Sequence, residues 1–113
     1  MKDADPYAAP TFEEFWPHYV RLHSKPRTQA LHAVATVTAG ALALGGLALR
    51  RPLLIALAPV ADYAIAQTSH RLFERNRTSP WKNSAWHARA ELRMLRLVLS
   101  GRMQAEVRRV GPS

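Results

Sequence analysis

Residues 31–49 read LHAVATVTAGALALGGLAL, nineteen positions without an Asp, Glu, Lys or Arg. As a helix rising about 1.5 Å per residue, this stretch reaches roughly 28 Å, close to the hydrocarbon thickness of a bilayer. Arg50, Arg51 and Pro52 end it abruptly, and a second apolar run, residues 53–69 (LLIALAPVADYAIAQTS), follows at once. Two such runs joined by a short link predict a helical hairpin in a membrane. The alternative is a pair of buried helices in a small soluble bundle. His32, Asp62, Gly45 and Gly46 lean slightly toward that alternative. Against it, a chain of 113 residues has few partners with which to cover helices that are apolar all round. The expected fold is therefore all-α, a hairpin of two spanning helices flanked by N- and C-terminal amphipathic helices.

The length allows one domain, placed at residues 11–106 between a loose start (1–10) and a basic, flexible tail (107–113). There is no cysteine, which excludes disulfides, thiolate metal sites and Cys nucleophiles. Sixteen Lys and Arg against eight Asp and Glu leave a net charge of +8, a balance that invites nucleic acid. The placement of the charge argues against that partner. The basic residues flank the apolar runs, where Arg suits anionic lipid headgroups. The opening MKDADPYAAPTFEEFW lacks the apolar centre of a signal peptide, so insertion would use the hairpin itself. Arg50 and Arg51 alone lie in the link. Arg21, Lys25 and Arg27 precede the runs, and Arg71, Arg75, Arg77 and Lys82 follow them. Both termini are thus expected in the cytoplasm, with the two link arginines blunting the contrast.

Thr11 followed by Glu14 has the spacing of a capping box, and Phe12, Phe15, Trp16, Tyr19 and Val20 then keep to one side of a helix running to about His23. Pro17 should kink or restart it. The rings suit a membrane interface and equally the cap of a core. Residues 24–27 (SKPR) read as a turn, with Thr28 able to cap the next helix. Ala39, Gly40, Ala43 and Gly46 are small enough to admit a neighbouring helix, whether from the same chain or from a homo-oligomer. Pro59 predicts a kink, and Asp62 within an apolar run needs a partner or a wet cavity. Helical phase continues through His70, Arg71, Phe73 and Glu74, until residues 76–80 (NRTSP) break it. A last helix from Ser84 to about Leu99 carries an apolar stripe (Ala88, Leu92, Leu95, Leu99) and a basic one (Arg89, Arg93, Arg96), as expected of a helix lying on anionic lipid. Residues 103–110 read as a fraying tail.

The histidines carry the chemistry. His23 closes the first helix, His32 begins the first apolar run and His70 ends the second. An antiparallel hairpin brings the start of one helix and the end of the other to the same face, so topology joins His32 to His70, and His23 can fold over them. Glu74 lies one turn past His70, and His87 with Glu91 repeats that spacing. Three imidazoles with a carboxylate and no thiolate suit Fe(II), Zn or Mn. The plainer reading is that His70 and Glu74 bond each other while Asn76 closes the helix. There is no HExxH, no glycine-rich phosphate loop and no GxSxG elbow.

Several ordered motifs carry a resemblance. FxxFWPxYxxxHxxPxxxxLH (residues 12–32) is followed by Tyr63 and HxxFExN (residues 70–76). A Pro-x-x-x-Ser segment, an acidic-x-x-Met and Gly-x-Met come after. Over residues 11–106 the chain resembles the Mpo-like family of small membrane proteins. The fungal member of that family is an Fe(II)-dependent dioxygenase shortening 2-hydroxy fatty acids by one carbon in alpha-oxidation. The resemblance implies His23, His32 and His70 as iron ligands. Glu74 or Glu91 would complete the set or orient a ligand, with Glu91 standing where the family usually has Asp. It further implies molecular oxygen as co-substrate and a long-chain 2-hydroxy fatty acid as substrate, lying along the hairpin among membrane lipids. The substrate carboxylate would meet Arg21, Arg27 or Arg71, with Asn76 at the head of the pocket. Activity should fail on removing iron and survive replacement of Asn76 or His18. The chain departs from the family pattern at Ala35, Gln67, Ser69 and Thr78, positions that bear on pocket shape. The competing class is a non-enzymatic structural or lipid-binding hairpin, whose histidines would be replaceable without loss of metal.

Overall fold

The Thr11 hydroxyl accepts from the Glu14 amide at 3.2 Å and starts α1 (Phe12–Leu22). The structure is a computed structural model and describes residues 6–112. Pro17 lies inside α1 without ending it. Pro26 and Pro52 occupy the first position of α2 (Pro26–Leu49) and α3 (Pro52–Ser69), where a missing amide hydrogen costs nothing. The helix of the first apolar run therefore begins earlier than expected, and Thr28 is a buried residue of its first turn instead of its cap.

Arg50, in the left-handed conformation (φ 55°), closes α2, and its amide donates to Gly46 and Leu47 carbonyls. The chain reverses within Arg50 and Arg51, and α3 returns antiparallel along α2. The two backbones approach closely near the tip. A Cβ on Gly46 would sit 2.6 Å from Ile55 Cγ1 and 2.9 Å from the Ile55 amide, whereas Gly40 has nothing within 4 Å. Of the small residues expected to admit a neighbour, Gly46 is thus one that this hairpin uses.

Beyond Ser69 the helix widens into a π turn, His70–Glu74, closed by Arg75 in the left-handed region (φ 55°). A short 3₁₀ turn, Pro80–Lys82, leads to α4 (Ser84–Leu99), capped by Asn83 accepting from the Trp86 amide. Residues expected to fray form α5 (Met103–Val110). Three contacts dock it: Trp16 Nε1 donates to Glu106 at 3.2 Å, Gln104 donates to Gln29 at 2.9 Å, and Arg21 Nε donates to the Gly111 carbonyl at 3.2 Å. Residues 1–5 of the start expected to be loose lie outside the described residues. From Pro6 a 3₁₀ turn sets Tyr7 on His87.

One core joins α1, α4 and α5: Phe12, Phe15, Trp16, Tyr19 and Val20 pack on Ala90, Met94 and Met103. The buried face of α4 therefore runs through Ala90 and Met94. The expected stripe is the outer one, with Leu92 and Leu99 exposed. Arg89 and Arg93 lie over the Phe12 ring at 4.2 and 5.7 Å, so part of the basic stripe covers core aromatics. The fold is an all-α bundle. Among the described residues α2 alone is both long and apolar enough to cross a membrane. The second apolar helix is shorter and holds Asp62 and Gln67, and it does not reach that standard.

Candidate metal centre and its cavity

The hairpin and the aromatic core meet at three imidazoles. His23 caps the end of α1, His32 lies two turns into α2, and His70 opens the π turn. All three are buried. His23 Nε2 lies 3.0 Å from His32 Nε2 and 3.0 Å from His70 Nε2. The rings stand nearly perpendicular to one another, at 78–87°.

Each ring is oriented from behind. His23 Nδ1 donates to the Tyr19 carbonyl at 2.6 Å, and His32 Nδ1 donates to the Thr28 carbonyl at 2.9 Å. His70 Nδ1 donates to Asn76 Oδ1 at 2.7 Å. Ser69 Oγ, 3.2 Å from His32 Nδ1, gives its own hydrogen to the Ala66 carbonyl, so it too faces Nδ1 as an acceptor. With every Nδ1 carrying the hydrogen, each neutral ring presents a bare lone pair at Nε2. Lone pairs this close, with His23 Nε2 3.0 Å from each of the other two, repel unless a cation sits among them. Protons do not serve that purpose. Burial, and then the neighbouring imidazoles, push His23 well below its ordinary value, and burial lowers His70 as well. The donor set fits a divalent transition metal, and the three ligand atoms lie within 4.8 Å of one another.

The carboxylates are placed less uniformly. Glu74 accepts from Ser24 Oγ (3.0 Å), the Lys25 amide (2.8 Å) and Thr28 Oγ1 (2.6 Å). Both its oxygens are thus engaged at the start of α2. It clamps the turn that carries the Thr28 carbonyl behind His32, and it does not bond His70. Glu91 comes to the other side of the site and shares the Thr36 hydroxyl at 2.8 Å. Thr36 Oγ1 also lies 2.9 Å from the His32 carbonyl. A hydroxyl has one hydrogen, so Thr36 divides its donation between the Glu91 carboxyl and the His32 carbonyl. Burial first, and then the hydrogen bond and charge of the adjacent Asp62 carboxyl, raise Glu91 well above the usual carboxylate range, while the Thr36 hydroxyl works weakly the other way.

In front of the triad lies a cavity of about 440 Å³, lined by all three histidines together with Tyr19, Asp62, Tyr63, Gln67, Thr78, Trp81, His87 and Glu91. Arg21 and Arg27 line other depressions, the latter over the Phe73 ring at 5.9 Å, and Arg71 is exposed. Among the described residues lining the cavity there is no Arg or Lys. Asn76 does not line it either; it stands behind His70 and donates from Nδ2 to the Leu22 carbonyl at 3.2 Å. Asn76 thus sits where it orients His70 instead of meeting a guest in the cavity. Two departures from the resembled pattern meet in the wall, where Gln67 Nε2 donates to Thr78 Oγ1 at 2.8 Å.

Sequence reasoning missed the carbonyl acceptors of Tyr19 and Thr28, because any residue supplies a carbonyl. The i, i+4 spacings Tyr19–His23 and Thr28–His32 are the signal that was available. It also missed Asp62 and His87 as members of one cavity, since that depends on how α3 meets α4.

Comparison with curated proteins and with solved structures finds no match. The family described as 2-hydroxy-palmitic acid dioxygenase Mpo1-like matches residues 9–103, nearly the whole chain and every element that builds the triad. A buried three-histidine centre with locked tautomers on that span is in keeping with an iron-dependent dioxygenase, and the chain belongs to the Mpo1-like family.

Proposed function

We propose that this chain is an Fe(II)-dependent dioxygenase that removes the carboxyl carbon of long-chain 2-hydroxy fatty acids. The observation that carries the reading is the convergence of three Nε2 lone pairs whose Nδ1 hydrogens are committed elsewhere. His23, His32 and His70 would hold the iron, which when bound supplies the oxygen chemistry. In overall balance one 2-hydroxy acid and one O2 give the acid one carbon shorter, CO2 and water.

The chain's own residues shape the event. Tyr19, Thr28 and Asn76 hold the rings, and Glu74 fixes the turn before α2. Pro59, Ala66, Ala88 and Trp81 give the cavity an apolar wall for the first carbons of the acyl chain. Tyr63 and Trp81 line the same cavity and are exposed, their ring centroids 6.3 Å apart, at the rim where the chain leaves for lipid. Glu91, protonated beside Asp62, keeps the cavity from holding two adjacent negative charges.

The membrane arrangement follows the same reading. α2 spans the bilayer, and α3 returns as a second span because the tip reverses within two residues. Arg21, Arg27 and Arg71 then stand near the headgroups at the open end, with both termini on the cytoplasmic side. Substrate and lipid thus share one solvent, which gives the enzyme a reason to be in the membrane.

The test is metal content after anaerobic purification in detergent. About one iron per chain is expected, lost when His23, His32 and His70 are replaced together by alanine. Added 2-hydroxyhexadecanoate and O2 should yield the acid one carbon shorter. A folded, metal-free protein indifferent to added Fe(II) would return the hairpin to a structural or lipid-binding role.

A further inference from the structure

Two buried side-chain atoms have no hydrogen-bond partner among the described residues, Asp62 Oδ1 on α3 and His87 Nε2 on α4. Both residues line the cavity in front of the triad. Buried polar atoms are costly to leave unpaired, so two on one cavity describe the guest that would pair them. The His87 ring is held firmly: Tyr7 stacks on it at 5.4 Å, and Phe15 and Tyr19 meet it edgewise at 5.4 and 5.9 Å. Tyr19, Tyr63 and Trp81 also line the cavity, but Asp62 Oδ1 and His87 Nε2 are the fully buried side-chain atoms there that lack a partner among the described residues. Gln67 bonds Thr78, Glu91 bonds Thr36, and the triad is turned toward its own centre. No Arg or Lys lines the cavity among the described residues, so an entering carboxylate must find a neutral donor.

We infer that His87 and Asp62 read the two polar groups of the 2-hydroxy acid head: His87 Nε2–H donates to the carboxylate, and Asp62 Oδ1 accepts from the 2-hydroxyl. This rests on the 2-hydroxy acid reading of the site. It adds the basis of selectivity. An unsubstituted fatty acid satisfies His87 and leaves Asp62 unpaired, and a site built to bond a hydroxyl discriminates strongly against the analogue that lacks it.

The experiment is equilibrium binding to the full chain loaded with Fe(II) in detergent without oxygen, so that no turnover intervenes. The probes are 2-hydroxyhexadecanoate and hexadecanoate. The unaltered protein should prefer the hydroxy acid by tenfold or more. Asp62→Leu, which removes the acceptor, should erase most of that preference. His87→Phe, which keeps the ring packing, should weaken both acids at least tenfold with iron content unchanged, and His87→Gln should recover part of the loss. Wild-type binding in both Asp62→Leu and His87→Phe overturns the inference. Loss of iron in His87→Phe overturns it too, by making His87 a metal ligand.

A measurement on the unaltered protein guards against variants that fail to fold. With Zn(II) in place of Fe(II), two of the five imidazoles should ignore the metal in ¹⁵N-histidine spectra, and one of these should shift when acid is added. No shift overturns the inference. No binding of either acid to the unaltered protein sinks the substrate reading itself, and this inference with it.

Discussion

At the end built from α1, α4 and α5, Phe15, Trp16 and Met94 are at most 2 % exposed; on the far half of the hairpin, Val37, Leu44 and Leu53 are 60 % exposed or more. The first region hides its large side chains against each other, as a protein in water must. The second keeps small residues inside, with Gly46 against Ile55, and turns its large apolar side chains outward. On the proposed membrane arrangement there is no gain in burying leucine here, and close backbone approach is the packing principle. The histidine centre lies where these two regimes meet, within reach of an acyl chain on one side and of polar scaffolding on the other.

The sharpest way to break this contrast is to truncate one residue of each region. Trp16→Ala should cost about 3–5 kcal/mol of stability in detergent, by loss of the ring and of its bond to Glu106. Leu44→Ala should stay within about 0.5 kcal/mol, the range of surface changes, when chemical denaturation is followed by circular dichroism. In a bilayer Leu44→Asp should carry a penalty of about 2.5–3.5 kcal/mol, visible as poor recovery in the membrane fraction. Equal tolerance of Asp at position 44 and at an exposed position of α4 would end the distinction.

The junction comes next. Asn76→Leu removes the acceptor behind His70 and frees that ring to rotate or change tautomer. Iron affinity should fall by about 10–100-fold, the usual effect of losing an orienting partner, while the helical content is unchanged. Unaltered iron affinity in this variant would show that the π turn alone positions His70.

At the tip, Gly46→Ala should cost about 1–3 kcal/mol, because the new methyl meets backbone and side chain of Ile55. Gly40→Ala has open space and should be neutral or gain up to about 1 kcal/mol from helix propensity. Similar melting temperatures for the two variants would mean that α2 and α3 separate freely near the tip.

The smallest effect is a pH slope in the metal-free protein. Glu91 is pushed from 4.5 up to about 8, by burial and then by Asp62, so the folded chain holds a proton that the unfolded chain has released. Stability is therefore fully present below about pH 4.5 and is lost as the pH rises through about 8. His87, lowered to about 4, opposes this trend, but only below its ordinary value of 6.5. Between pH 6.5 and 8 the melting temperature should fall for the unaltered protein and stay level for Glu91→Gln.

Much of this architecture was legible because it is local. The Thr11–Glu14 cap, the one-sided rings of α1, the span of α4 and the reversal at Arg50 follow from residues a few positions apart. The meeting of His32 with His70 followed from antiparallel topology, which needs no side-chain detail. Harder to read was α4: its leucine stripe is outward at Leu92 and Leu99, but the face through Ala90 and Met94 that meets the core was not picked out. When a helix carries apolar residues on two faces, periodicity cannot tell which one meets the core. The tail was misread for a related reason. Met103, Val107 and Val110 gain partners only after α1 supplies Trp16 and Val20 as a surface.

Residue order thus determined which elements exist, where the chain turns, and that three imidazoles share one end of the hairpin, because short-range sterics and hydrophobic period are written along the chain. Tertiary structure alone decided what each polar side chain serves. It assigned Glu74 to the start of α2, Asn76 to His70, the arginines to positions outside the cavity, and Asp62 with His87 to its wall. Those roles depend on distances of about 3 Å between groups fifty or more residues apart in sequence, and only the packing of α1, α3 and α4 around α2 sets such distances.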